Sequence, residues 1–307
     1  MKLRKPFLFL VVALSFLSAS YASASVGDTP YNTARMLSVG RAGVAATARN
    51  IEDVFVLNPA LLATKAQLSA FGSYVTGDDS LGGDQRQFSA GMLDSTMGTW
   101  DPIADLSIRE FKVFPIASAL TYTNIKNDDY RDQLFTLGVA QAMSQSLAIG
   151  LIANYSRAEL RSVSGKKTHF DVGVGFAYRW GSRFSLGVTA QNILDDRKDF
   201  SSTYLRRAIG AGLQLRLVEF AHLRLDAWNT KDASDKNQWI YRVGLENQFT
   251  DHFHFNIGLG RDNVLKTNTV GAGFSIVGPR LSMSYGVQRE TSKDNLLHSV
   301  DFHLPLW

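Results

Sequence analysis

The chain has 307 residues, of which 45% are hydrophobic and 20% charged, and its formal net charge is +4. It contains no cysteine, which excludes disulfide bonds and thiolate metal sites. Three basic residues and no acidic residue lie in the first 24 positions, so removal of that segment lowers the charge to +1. Bulk charge therefore gives no support to a nucleic-acid partner.

The first 24 residues predict a secretory signal peptide. Lys2, Arg4 and Lys5 precede a short apolar run over residues 7–17, and Ala22-Ser23-Ala24 supplies the small residues of a cleavage site. The apolar run is too short to cross a membrane. We therefore expect residues 1–24 to be removed and the mature chain to start near Ser25.

The next segment, residues 25–66, shows little alternation of polar and apolar residues. Its glycines and Pro59 suit a compact insert with short helical turns. Apolar residues between 54 and 62 argue against the alternative, a disordered periplasmic tail, because such tails are poor in them. We expect this segment to fold as a hatch inside a barrel formed by residues 67–307.

From residue 67 to the end, polar and apolar residues alternate with a period of two. In Arg183–Asn192, for example, Phe184, Leu186 and Val188 share one face and Ser185 and Thr189 the other. Fourteen such runs are predicted to be strands. They cover residues 67–77, 85–92, 112–123, 131–141, 146–157, 167–179, 183–193, 204–217, 220–229, 238–249, 252–261, 267–277, 280–289 and 296–307.

This pattern predicts an all-β transmembrane antiparallel β-barrel of about 14 strands, with 12 strands as the alternative. Lipid offers no hydrogen-bond partners, so a sheet can cross it only when it is closed. Tight turns such as Gly278-Pro279 alternate with longer polar loops, as in barrels of the outer membrane of Gram-negative bacteria. Outer-membrane lipid is therefore an expected partner. So is the outer-membrane assembly machinery, because the chain ends on an aromatic residue, Trp307.

The predicted inner face carries glycines and charged residues. A fourteen-strand barrel is too wide for its side chains to fill, so the lumen holds water or a plug. Five charged residues on strands eight to ten occupy the alternate positions that are predicted to face the lumen: Arg216, Arg224, Asp226, Arg242 and Glu246. They predict either a site for an anionic head group or a network that contacts the wall or the hatch.

The leader resembles the N-terminal hatch of the FadL family of long-chain fatty-acid transporters. That hatch has a Gly-Arg-Ala start, an acidic residue and an Asn-Pro-Ala tripeptide before the first strand. The matching residues here are Gly40, Arg41, Ala42, Asp53, Asn58, Pro59 and Ala60. The resemblance implies a fourteen-strand barrel plugged by the hatch. It also implies a lateral opening in the third strand at Pro115, for which a simple bulge is the alternative.

The chain is shorter than the best-known members of that family and lacks their long extracellular loops. Its compact loops resemble those of PorV/PorQ-like proteins, which serve type IX secretion. Two functions are therefore expected. The first is passive transport of a small hydrophobic or amphipathic compound, fatty-acid-like, out through the lateral opening. The second is a role in a secretion machine with protein partners, and a weakly conducting structural barrel is a third interpretation.

No catalytic residue, metal site or cofactor is expected. His252 and His254 share a face, but no third ligand is placed near them. No Ser/His/Asp arrangement has a recognisable spacing, so the protein is not expected to be an enzyme.

Overall fold

A computed structural model of the protein describes residues 32–46, 55–79, 83–96, 116–126, 130–160, 166–194, 207–231, 236–291 and 295–306. The predicted signal peptide lies outside this part of the chain. The described leader contains one short helix, α1 (Ala34–Ser38), and a 3-10 helix (Pro59–Thr64). No helix within the described ranges is both long and apolar enough to span a bilayer.

Fourteen strands follow in the described part of the chain. They are β1 (Leu68–Asp79), β2 (Gly83–Asp94), β3 (Ile116–Lys126), β4 (Tyr130–Ala142), β5 (Leu147–Leu160), β6 (Lys166–Trp180), β7 (Phe184–Gln191), β8 (Ala208–Val218), β9 (Ala221–Lys231), β10 (Asn237–Gln248), β11 (Phe253–Asp262), β12 (Thr267–Val277), β13 (Ser282–Glu290) and β14 (Leu296–Pro305). Each strand pairs antiparallel with its neighbours in sequence, and β1 pairs with β14. The predicted closed fourteen-strand barrel is confirmed.

Strand ends depart from the prediction where side chains of other strands intervene. β7 ends at Gln191, two residues early, because Asn192 takes a positive φ of 53° and the Asp171 carboxylate accepts the amide of Leu194 at 3.1 Å. β5 instead continues to Leu160 and pairs with the start of β6.

The expected separation of short turns at one end of the barrel from long loops at the other also fails at the first hairpin. Only three residues, 80–82, join β1 to β2, whereas 21 residues, 95–115, join β2 to β3.

The two faces of the wall differ as the alternation predicts. On β3 the burial alternates almost residue by residue from Ile116 to Lys126. Large apolar side chains remain exposed on the outward face of strands around the barrel, such as Leu151 (56%), Ile209 (53%) and Leu304 (45%). Water-soluble proteins rarely leave such a continuous apolar surface open. The outside of this barrel is therefore built to contact lipid.

The hydrophobic core lies inside the barrel and is built largely by the leader. We call its described residues 32–46 and 55–64 the N-terminal insert. Phe55, Leu57, Leu61 and Leu62 are completely buried, and the 3-10 helix contacts β3 to β6 while α1 contacts β11 to β14. The insert thus meets both sides of the inner wall.

Glycines in the wall let the backbone of the insert approach closely. A Cβ added at Gly271 would lie 2.0 Å from the carbonyl oxygen of Leu37, and one at Gly187 would lie 2.0 Å from that of Val44. Neither position can hold any side chain while the insert keeps its place. Inward glycines, which weaken an ordinary strand, are here required by the contact.

Gly271→Ala is expected to loosen the insert, because the new methyl group meets backbone that cannot move aside cheaply. Overpacking of this kind costs about 1–3 kcal/mol. Hydrogen–deuterium exchange of residues 32–46 in the detergent-solubilised barrel should accelerate. Gly72→Ala is the matched control, since its Cβ would meet only Ser89 O at 3.6 Å. Equal exchange in the two variants would show that the insert does not rest on this part of the wall.

Candidate functional site

Asn58 ties the two parts of the insert to the wall. It caps the 3-10 helix by accepting the amide of Ala60 at 3.1 Å, and Pro59 occupies the first helical position. Its side-chain amide donates to Val44 O at 2.8 Å and to Phe176 O on β6 at 3.0 Å. One completely buried side chain therefore joins the helix, the preceding part of the insert and the barrel.

The Gly-Arg-Ala part of the motif forms a tight turn after α1. Gly40 and Arg41 both have positive φ, 63° and 61°, and the Arg41 amide donates to Met36 O at 2.7 Å. A Cβ on Gly40 would lie 2.8 Å from the backbone of Leu259 on β11. Ala42 is buried directly after this turn. Asp53 of the motif and Pro115 of the predicted lateral opening lie outside the described residues.

Charged residues of β9 and β10 contact the insert directly. One oxygen of Asp226 accepts the amides of Gly43 at 2.6 Å and Val44 at 3.0 Å. Arg242 donates to Arg41 O at 3.3 Å and stacks 5.5 Å from the ring of Trp228. Asp226 is therefore an acceptor for two backbone donors of the insert, and Arg242 satisfies a carbonyl beside them.

Glu246 joins a buried pair of arginines, one from the insert and one from the wall. Each of its carboxylate oxygens forms an ion pair, one with Arg35 of α1 and the other with Arg224 of β9. All three side chains are at least nine-tenths buried. Arg216 was also predicted to face the lumen, but it is only half-buried, near the end of β8 and opposite His222. The structure thus places Asp226, Arg242 and Glu246 in contact with the insert, Arg224 behind Glu246, and Arg216 outside the group.

Several residues that hold the insert were not singled out from the sequence. Gln191 donates to Val56 O at 2.7 Å and Leu57 O at 3.0 Å, and Ser185 donates to Ala45 O at 2.8 Å. Asp301 on β14 accepts the amide of Ala34 at 2.6 Å, and Gln87 on β2 donates to Asn32 O at 3.2 Å. The only available signal was their polar character at inward positions.

The inner face of β1 to β5 carries apolar side chains among small polar ones, and fewer charged groups than the described inner face of β9 and β10. Val75, Ile125, Leu134 and Ile152 project inwards from β1, β3, β4 and β5 and are almost completely buried. Two polar atoms of the same wall, Asp132 Oδ1 and Ser156 Oγ, are buried without a hydrogen-bond partner among the described residues. These four side chains are the apolar part of a mixed surface, and sites for hydrophobic ligands combine apolar side chains with polar groups.

The two histidines considered as metal ligands have different surroundings. His252 is exposed and contacts Val277 O at 3.0 Å, whereas His254 is buried on the inner face. In the ranges that the structure describes, no three His, Cys, Asp or Glu side chains are grouped so that they could hold a metal ion.

Comparison with solved structures places this fold beside known channels. Neither a protein-family model nor a curated protein matches the chain. It is similar to a Pseudomonas aeruginosa FadL homologue, with a TM-score of 0.61, 10% identity, and coverage of 93% of this chain and 100% of that chain. It is also similar to the P. putida toluene transporter TodX, with a TM-score of 0.59, 9% identity and coverage of 91% and 99%. The predicted resemblance to FadL-type barrels is therefore confirmed at the level of the fold.

Asp226→Ala is expected to free the middle of the insert, because it removes the acceptor of two buried amides. Each amide left unpaired costs about 1–3 kcal/mol. Exchange at Gly43 and Val44 should accelerate more than tenfold, as measured by hydrogen–deuterium exchange. Asp226→Asn keeps an acceptor oxygen and should fall between Asp226→Ala and the unchanged protein. An unchanged exchange rate in Asp226→Ala would contradict this role.

Glu246→Ala is expected to destabilise the folded protein by about 3–5 kcal/mol, because it deprives two buried guanidinium groups of their shared carboxylate. Thermal unfolding in detergent measures the loss. The triple variant R35M/R224M/E246M removes the charges together and should lose less stability than Glu246→Ala. A larger loss of stability in the triple variant than in Glu246→Ala would show that unpaired buried charge does not cause the destabilisation.

Proposed function

We propose that this protein is an outer-membrane channel for the passive transport of small hydrophobic compounds. The observation that carries the proposal is a lipid-facing barrel whose bore is occupied by a folded insert beside apolar side chains of β1, β3, β4 and β5. A standing water-filled pore would suit polar solutes, whereas an occupied, partly apolar bore suits ligands that leave water readily. The shared fold with a FadL homologue and with the toluene transporter TodX supports the same assignment.

The apolar side of the wall supplies the route in this proposal. Ile125, Leu134 and Ile152 lie on adjacent strands, and a ligand moving along them exchanges water for apolar surface. The unpartnered oxygens of Asp132 and Ser156 offer it acceptors for a hydroxyl or amine group. The driving force is partitioning into lipid, and no energy source is needed.

The remaining parts of the proposal follow from the sequence. The export signal in residues 1–24 delivers the chain to the outer membrane, and residues 25–66 act as the hatch. Because proline has no backbone N–H, we propose that Pro115, the residue before β3 in the sequence, marks the point at which the ligand leaves sideways into the bilayer. The expected partners are outer-membrane lipid, the machinery that assembles barrels, and the transported compound itself.

Leu134→Gln is expected to reduce transport about tenfold, because it puts an amide where the apolar ligand must pass. Burying such a group without a partner costs about 1–3 kcal/mol. Uptake of a monoaromatic hydrocarbon and of a medium-chain fatty acid into proteoliposomes measures the effect. Leu134→Met, which keeps the volume and the apolar character, is the control and should retain transport.

Deletion of the whole chain separates transport from the alternative secretion role. Loss of uptake of the same compounds, with normal export of secreted proteins, supports the channel. Normal uptake with loss of protein export would replace it by the secretion role.

A further inference from the structure

The outer face of β2 to β6 carries a row of basic residues in direct register. Arg86 of β2 faces Lys126 of β3, which faces Arg131 of β4. Arg131 faces Glu159 of β5, which faces Lys166 of β6 and forms an ion pair with it at 2.6 Å. We call the exposed cations of this surface the basic belt: Arg86, Lys126, Arg131, Arg157 and Lys166.

This arrangement is unfavourable unless an anion is present. Like charges directly opposite one another on neighbouring strands destabilise a sheet. Arg86, Lys126 and Arg131 are three such cations in succession, and Glu159 is the single acidic residue of the row. Bound anionic groups between these side chains would offset the repulsion.

The belt lies at a defined distance from an aromatic row on the same strands. Tyr122, Phe135, Tyr155 and Phe170 face one another across β3 to β6, and the rings of Tyr122 and Phe135 are 4.9 Å apart. Aromatic rows of this kind mark the headgroup level of a bilayer. The row of charges that includes Lys126, Arg131 and Lys166 is four residues further along each strand, or about 13 Å at about 3.3 Å per residue.

Arg157 lies between the two rows, two residues from Tyr155, or about 7 Å along the strand. Long basic side chains at this height reach the phosphate groups of lipids whose acyl chains contact the apolar wall below. The belt is at the end of the barrel opposite the short connections that follow β4, β6, β8, β10 and β12, which is the outer-leaflet side in the proposed orientation.

The same level on the other side of the barrel lacks this arrangement. Arg261 of β11 faces Tyr241 and Asn268, and Arg289 of β13 faces Val270 and Leu296. These cations are exposed too, but each has neutral residues opposite it. In the described part of β10 to β14, Arg261 and Arg289 therefore do not form a contiguous positive row like the one on β2 to β6.

We propose that the basic belt binds the phosphate groups of a multiply phosphorylated glycolipid of the outer leaflet, of the lipid A type. Arginine guanidinium groups bind phosphate through paired hydrogen bonds, and lysines contribute point charges. The proposal rests on the proposed outer-membrane placement but not on transport. Because the belt faces outwards, lipid binding and solute uptake can be measured separately.

The test titrates the intact, detergent-solubilised protein with bisphosphorylated lipid A and follows binding by native mass spectrometry. K126Q/R131Q should bind about 25-fold more weakly, because each basic residue near an anionic surface contributes about fivefold in affinity. R261Q/R289Q removes the same charge and should remain within twofold of the unchanged protein. Binding to the unchanged protein should also weaken as salt screens the charges.

Three further measurements make the outcome decisive. The charge-conserving variant K126R/R131K should keep binding, which shows that the belt variants act through charge and not through misfolding. Dephosphorylated lipid A should bind poorly, and phosphatidylglycerol, with one phosphate, should bind more weakly than lipid A. Equal losses in K126Q/R131Q and R261Q/R289Q, or equal binding of the dephosphorylated lipid, would overturn the proposal. A loss of uptake activity with lipid binding intact would count only against the transport function.

Discussion

The width of the barrel is the constraint from which the rest of the structure follows. Fourteen strands close the backbone hydrogen bonds that lipid cannot satisfy, but they enclose more space than their own inward side chains can fill. The N-terminal insert supplies the missing interior, with Phe55, Leu57, Leu61 and Leu62 at its centre. The glycines of the wall make room for the insert, because a side chain at Gly187 or Gly271 would displace the backbone that fills the bore.

Filling the bore with a polypeptide segment creates a second problem, which is that backbone donors and acceptors of the insert become buried. Inward polar side chains of the wall and of the insert form hydrogen bonds with these buried backbone groups. Asp226 accepts two amides, Gln191 donates to two carbonyls and Asn58 bridges three segments. The buried arginines of the insert and wall are neutralised by Glu246. What resembles the charged lining of a water-filled lumen is therefore largely the complement of one folded segment.

The sequence predicted the fold well because period-two alternation is a local property that every transmembrane strand must show. It also predicted that Asn58 and its neighbours matter, through resemblance to a hatch motif. It could not place the contacts of Gln191 or Asp301, because parity shows which face a residue occupies but not what lies opposite it inside the bore. The end of β7 was missed for a related reason. The carboxylate of Asp171, on β6, accepts a hydrogen bond from the amide of Leu194. The residue pattern of β7 alone cannot predict a contact with another strand.

The contacts that hold the insert constrain the transport proposed above. Full removal of the insert would break its hydrogen bonds to β1, β2, β6, β7, β9, β10 and β14 and would expose its four central apolar side chains. Burial of those four side chains alone contributes about 6–12 kcal/mol. Thermal fluctuation would rarely supply that amount, and the proposed passive channel would have no other source of energy. The charged contacts are concentrated on β9 and β10, whereas Ile125, Leu134 and Ile152 line the strands on another side. In the proposed transport, a hydrophobic compound that moves along Ile125, Leu134 and Ile152 leaves the charged contacts with β9 and β10 in place. It must displace the 3-10 helix, because that helix packs on β3 to β6. The contacts on β9 and β10 therefore hold residues 35–44 of the insert while the 3-10 helix moves.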